Sequence, residues 1–173
     1  APGDRTHLIF VGSPGQPWHG VDQIAKLASV RPDWHFDIVG YDGDGQPSRS
    51  NLAFHGYRAP EDYRLLLARE TVPIGPLSLH RKDIHQVCSL KAREYLARGL
   101  PVVSAGVDTD VPRGAPYYLE VPNREGGALA ALTDLDAFVE RWRGRRVARE
   151  AIAHLDWEAK EPVRLRFLAS RVR

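Results

Sequence analysis

Short apolar runs that each stop at a glycine, separated by stretches with helical spacing, constrain this chain more than any other feature. Leu8-Ile9-Phe10-Val11 ends at Gly12. A continuous run of this kind suits a strand covered on both faces, as strands in parallel sheets are. Val21, Ile24, Ala25 and Ala28 then recur at helical spacing until Pro32. Phe36, Ile38 and Val39 form a second strand ending at Gly40, and the turn residues of Asp42–Ser48 follow. Leu52–Tyr57 is read as a third strand. Pro60-Glu61-Asp62 opens a helix through Leu65, Leu66 and Ala68, its acids placed where the helix dipole favours them. Val72–Leu77 is a fourth strand, expected to be short or near an edge because Pro73 and Pro76 cannot donate to a ladder. The polar loop Ser78–His85 leads into a helix read from Gln86 to Arg98 and capped by Gly99. Pro101–Ser104 and Tyr117–Val121 give two more strands. Leu132, Leu135, Phe138 and Val139 make a helical stripe, and a last helix begins near Trp157. Alternating strands and helices predict an α/β domain with a mainly parallel sheet and helices on both faces. Ligands in such folds sit at the carboxyl ends of the strands, which directs attention to the loops after Val11, Val39, Phe54, Leu77 and Val103.

The length of 173 residues suits a single domain, taken here as 1–173. With 43% apolar and 27% charged residues the chain is neither a disordered tail nor a membrane protein. Ala1-Pro2-Gly3-Asp4 carries no signal-peptide pattern, and the absence of an initiator Met leads us to expect a piece of a longer protein. Cys88 is the single cysteine, so no internal disulfide can form and a cytoplasmic location is the expectation. The net charge of +2 gives no case for nucleic acid. Arg141, Arg143, Arg145, Arg146 and Arg149 lie beside Glu140 and Glu150 and are read as a solvated helical surface. Anionic lipid or a partner protein is the alternative, and lipid would place the protein peripherally at the inner membrane face. The seven histidines show no metal-ligand spacing, so no metal is expected, and no nucleophile–base pair is evident.

Three segments carry candidate chemistry. The loop Gly12-Ser13-Pro14-Gly15-Gln16-Pro17-Trp18-His19-Gly20 lacks the dinucleotide fingerprint, but its glycines allow close backbone approach. His19 and Gly20 precede a helix whose free N–H groups suit an anion, the alternative being a plain turn. In the Gln86–Arg98 helix, Val87, Leu90, Glu94 and Ala97 share one face, expected to meet the sheet. Glu94 on that face either forms a buried ion pair or accepts hydrogen bonds from a ligand diol, and Lys91 serves either reading. Arg81 and Lys82, in the loop feeding that helix, suit a phosphate or are solvated.

The run Ser89-Leu90-Lys91-Ala92-Arg93-Glu94-Tyr95-Leu96-Ala97-Arg98-Gly99-Leu100-Pro101-Val102-Val103 resembles the group 1, retaining glycosyltransferases of GT-B fold. The likeness continues along nearly the whole chain. Leu8–Gly12 looks like the family's opening strand, Trp18-His19-Gly20-Val21-Asp22 like the start of its first helix, and Phe36–Gly40 and Phe54-His55-Gly56-Tyr57 like its next strands. Leu155-Asp156-Trp157-Glu158 resembles the start of its last helix.

This resemblance implies a Rossmann-like donor domain, one half of a GT-B fold, whose acceptor-binding N-terminal partner domain lies outside this chain. It implies a nucleoside diphosphate sugar as donor substrate, retention of configuration, and neither cofactor nor metal. Glu94 would hold the donor ribose. Gln86 stands where the family has a glutamate contacting the sugar, and a neutral amide cannot stabilise a developing cation electrostatically. Ser13 and His19 replace a frequent Arg and Lys, leaving Arg81, Lys82 and Lys91 to meet the diphosphate. Gly12, Gly20, Tyr57, Ser89 and Leu90 complete the expected donor site. The His80-Arg81-Lys82 loop also resembles a bacterial subgroup acting on surface polysaccharides. Two other readings stay open: a non-catalytic nucleotide-sugar-binding module, favoured by Gln86, and a nucleotide-sugar epimerase of related architecture.

Overall fold

The computed structural model describes residues 6–69 and 72–171. The Ala1–Asp4 segment considered above lies outside the described residues. In chain order the elements are β1 (Thr6–Val11), α1 (Val21–Val30), β2 (Trp34–Val39), β3 (Leu52–Phe54), α2 (Pro60–Leu67) and β4 (Val72–Ile74). They continue with β5 (Gln86–Val87), α3 (Leu90–Ala97), β6 (Val102–Ala105), β7 (Val107–Asp108) and β8 (Tyr118–Val121). Helices α4 (Gly127–Ala130), α5 (Leu132–Trp142) and α6 (Trp157–Ala169) complete the chain. Short 3-10 turns cover Pro17–His19, Leu79–Lys82 and Arg149–Leu155.

The main sheet is parallel throughout, in the order β3-β2-β1-β4-β6-β8. Strand order reverses between β1 and β4, the switch point at which open α/β sheets bind ligands. Strand alternation sends Leu8, Phe10, Phe36 and Ile38 to one face, against Ile24, Leu27 and Ala28 of α1 and Leu135, Phe138 and Val139 of α5. Ile9, Val39 and Val102 face the other way, against Leu67 of α2 and Ala92, Tyr95 and Leu96 of α3. Both faces are therefore covered, as the continuous apolar runs require.

Two sequence expectations need correction, while the Pro73 strand is short as expected and central, lying between β1 and β6. Gly75 N–H donates to the Val103 carbonyl at 2.7 Å, and residues two apart in a strand address the same neighbour. The donor that Pro73 lacks thus falls on the β6 side, so β4 pairs with β1 over Val72–Ile74 and with β6 only at Ile74. The third strand stops at Phe54, before Tyr57. The helix expected from Gln86 begins at Leu90: Gln86 and Val87 pair instead with Val107 and Asp108 in a separate two-stranded sheet. Ser89 is the N-cap with extended backbone, a position that serine favours.

Candidate functional site

The loops at the carboxyl rim of the sheet are hydrogen-bonded to one another in a row. Gly12 N–H donates to the Val39 carbonyl at 2.9 Å and Gly40 N–H to the Gly56 carbonyl at 2.7 Å. Leu77 and Ser78 donate to the carbonyls of His19 and Trp18, both at 3.1 Å, which ties the loop after β1 to the loop after β4. Gly20 makes that approach possible. Its φ is +72°, and a Cβ there would come within 2.7 Å of Ser78 Oγ.

His19, Tyr41 and Lys91 meet on this rim. His19 Nδ1 lies 2.8 Å from the Tyr41 hydroxyl, and Lys91 Nζ lies 3.5 Å from His19 Nε2. Lys91 also sits over the Phe10 ring, 4.9 Å from its centroid. An ammonium only donates, so Nε2 accepts and the neutral imidazole carries its proton on Nδ1. Burial, then the charge of Lys91, lowers the His19 pKa to about 4, against a backbone hydrogen bond with Ser13. Burial pulls Lys91 down to about 8 and pushes Tyr41 up to about 12. At neutral pH the cluster therefore holds a cation beside a neutral histidine.

Lys91 occupies the first turn of α3. The helix starts without a side-chain cap at Ser89, so its leading N–H groups and macrodipole add positive potential beside the ammonium. Leu90, 86% exposed, projects from the same turn. The face of α3 that meets the sheet is Ala92, Tyr95 and Leu96, not the Leu90–Glu94 face expected from the sequence. The shorter helix explains the difference, because Val87 does not belong to it. Glu94 is half-buried, with Tyr63 Oη donating to its oxygens at 3.2 and 3.3 Å and Arg98 Nη2 at 3.3 Å.

Arg81 is engaged in a separate ion-pair network. It donates to Asp22 at 2.7 and 2.8 Å, to Glu125 at 2.9 Å and to the Pro17 carbonyl at 3.0 Å. Its bonds hold the Asp22 carboxyl below the usual range and draw Glu125 down to about 2. Arg81 thus braces the first loop, α1 and the segment before α4. Lys82 lies over the Trp18 ring at 3.7 Å. Tyr57 is 86% exposed in the loop after β3, and Gln86 is exposed on β5, outside the helix that carries Glu94. Two adjoining cavities of about 300 and 340 Å³ open beside the first loop, sharing Gly15, Val21, Tyr41 and Gln46 as lining.

Sequence reasoning missed Tyr41, Tyr63, Asp22 and Glu125. Only Asp22 left a local signal, as an acid in the first turn of α1. The others are joined to their partners by tertiary packing.

No protein-family model and no curated protein sequence matches the chain. Solved structures do. Sucrose-phosphate synthase from Thermosynechococcus elongatus aligns with 98% of this chain and 47% of its own, at TM-score 0.55 and 18% identity. Anabaena HepE in complex with UDP-glucose aligns with 96% of this chain and 49% of its own, at TM-score 0.61 and 16% identity. UDP-GlcNAc 2-epimerase from Neisseria meningitidis bound to UDP-GlcNAc aligns with 82% of this chain and 38% of its own, at TM-score 0.54 and 15% identity. The fold is that of one Rossmann-like half of a GT-B protein. The chain spans less than half the length of these structures.

Proposed function

We propose that this chain is the donor-binding domain of a glycosyltransferase that moves a sugar from a nucleoside diphosphate sugar to an acceptor, with retention and without a metal. The observation that carries the reading is Lys91, a half-buried cation in the uncapped first turn of α3, at the rim where strand order reverses. Cation and helix N-terminus together suit a diphosphate. Glu94, one turn further along, accepts the ribose hydroxyls by exchanging its Tyr63 and Arg98 bonds for them. Gly12, Ser13, His19, Gly20, Ser89 and Leu90 frame the ligand, with Tyr57, Arg81, Lys82 and Gln86 at its margin. The UDP-glucose and UDP-GlcNAc named for the solved neighbours support this substrate class. A second domain supplies the acceptor site, catalysis takes place in the cleft between the two, and this domain alone does not turn over. Synthesis of a polysaccharide or glycoconjugate in the cytoplasm, with peripheral membrane contact, is the setting that fits. Among the described residues no helix is long and apolar enough to cross a membrane.

The testing experiment is a thermal-shift panel of UDP, ADP, GDP and TDP sugars on this chain. The reading expects one base class to raise the midpoint, with the nucleoside diphosphate retaining most of the effect. A panel without any shift at millimolar ligand contradicts it. An epimerase is the second reading, favoured by the epimerase among the structural neighbours. Release of an epimerised nucleotide sugar by the full-length protein without acceptor would select it.

A further inference from the structure

A second cluster of chemistry-bearing side chains lies on the α2–α3 face of the sheet. The parallel register sets His7 beside His35 and Ile9 beside Asp37. Residues two apart in a strand share a face, so His35 and Asp37 project together with His7. The His7 and His35 rings stand 5.1 Å apart. Asp37 Oδ1 lies 3.5 Å from His35 Nε2 and Asp37 Oδ2 lies 3.8 Å from His7 Nδ1. One ligand atom from each of His7, His35 and Asp37 falls within 4.8 Å of the others. His55, just past β3, closes the group with Nε2 2.5 Å from Asp37 Oδ1. The Asp37 side chain is 8% exposed and the three imidazoles 22–32%, so the carboxylate is enclosed while solvent reaches the rings.

We propose that His7, His35, Asp37 and His55 form a binding site for a divalent transition metal, with Zn²⁺ as the fitting ion. One buried carboxylate needs one or two donors, and three imidazoles around it exceed that need. One metal ion serves as the shared cation for the whole set. Three imidazole nitrogens and one carboxylate oxygen are a Zn²⁺ donor set, unlike the all-oxygen sets of Mg²⁺ and Ca²⁺. At Zn–ligand bonds of about 2.0–2.1 Å, tetrahedral ligands stand roughly 3.3 Å apart. The separations of 3.5 Å from His35 to Asp37 Oδ1 and 3.8 Å from His7 to Asp37 Oδ2 are close to that value, and His55, bonded to Asp37 Oδ1 but outside the set of three whose donors lie within 4.8 Å of one another, turns in as the fourth ligand. Four protein ligands leave no open position, which makes the site structural. The ion would join β1, β2 and the segment after β3. His7 and His35 hold the second positions of their strands, away from the loops that carry Lys91 and His19.

The test is titration of chelator-treated protein with Zn²⁺ by calorimetry and with Co²⁺ by visible spectroscopy. We expect one Zn²⁺ per chain, a raised thermal midpoint, and Co²⁺ bands of four-coordinate intensity. His7→Gln and His35→Gln each weaken binding at least tenfold. Circular dichroism of these metal-free variants checks that they fold, and His55→Gln provides a third reading of the same site. His85→Ala is the control, since His85 pairs with Asp83 in an exposed loop. No stoichiometric binding, or binding that survives the His7, His35 and His55 substitutions and is lost in His85→Ala, overturns the proposal.

Discussion

Lys91 Nζ stands 3.5 Å from His19 Nε2, which places a half-buried cation from α3 against the loop that follows β1. Burial holds this lysine near 8, so a bound anion that favours its charged form draws a proton onto it. Affinity for a nucleoside diphosphate is therefore expected to fall as pH rises through about 8, and Lys91→Arg to flatten that fall. The ligand-free protein responds with the opposite sign. Because the folded pKa lies below the unfolded value, the unfolded chain holds more protons from about 8 to about 10.4, and stability attributable to Lys91 rises across that window. Affinity and denaturation measured at pH 7, 8 and 9.5, on the native chain and Lys91→Arg, check both signs.

His19 gives a pH signature on the acid side. Its folded pKa of about 4 lies below the unfolded 6.5, so between these values the unfolded chain binds more protons. Its contribution is intact above 6.5 and is lost as pH falls toward 4. His19→Gln is expected to be less stable at pH 7, having lost the Tyr41 bond, yet to show a shallower decline between pH 6.5 and 4.5. Parallel declines in denaturant midpoint for the two proteins would show that His19 does not titrate as described.

Arg81 is expected to act on stability more than on ligand binding. Its Asp22 and Glu125 partners are part-exposed, so Arg81→Ala should cost about 1 kcal/mol, within the range for surface pairs with favourable geometry. The deficit should shrink at 1 M salt, where such pairs are screened to about 3 Å. A large loss of diphosphate affinity without a stability change would return Arg81 to the phosphate site.

Glu94→Gln should weaken a ribonucleotide on the order of 10- to 150-fold, the equivalent of one charged hydrogen bond of roughly 1.5–3 kcal/mol. Titrating ribose and deoxyribose forms against both proteins separates a diol contact from bracing by Tyr63 and Arg98. With a diol contact, deoxyribose discrimination collapses in the mutant. With bracing alone, discrimination is unchanged and thermal stability falls.

The strands were legible where local pattern decides them. Leu8–Val11 and, apart from Asp37, Phe36–Val39 are apolar because helices cover both faces, and a glycine ends each. The start of α3 was not legible, because Gln86 and Val87 leave the helix to pair with Val107 and Asp108, partners about twenty residues away. With Val87 outside the helix, the buried stripe of α3 is Ala92, Tyr95 and Leu96 rather than the Leu90–Glu94 face. The parallel sheet covered on both faces, with ligands expected at the rim, followed from alternation, while the Rossmann-like half of a GT-B fold came from the family resemblance. His19 and Lys91 could be named from the sequence, but their contact and the Tyr41 bond span 72 and 22 positions and depend on packing. The His7–His35–Asp37 group depends on strand register, which sequence spacing does not reveal.

The central claim is that the first turn of α3, with Lys91, holds the diphosphate of a nucleotide sugar. The direct measurement is calorimetric titration of the native chain and Lys91→Met with a nucleoside diphosphate and its parent nucleoside, using the base that the thermal-shift panel selects. Removing one charge-assisted bond of about 1.5–3 kcal/mol should weaken the diphosphate at least tenfold and leave the nucleoside within about twofold. Equal losses for both ligands, or none for either, would contradict the account.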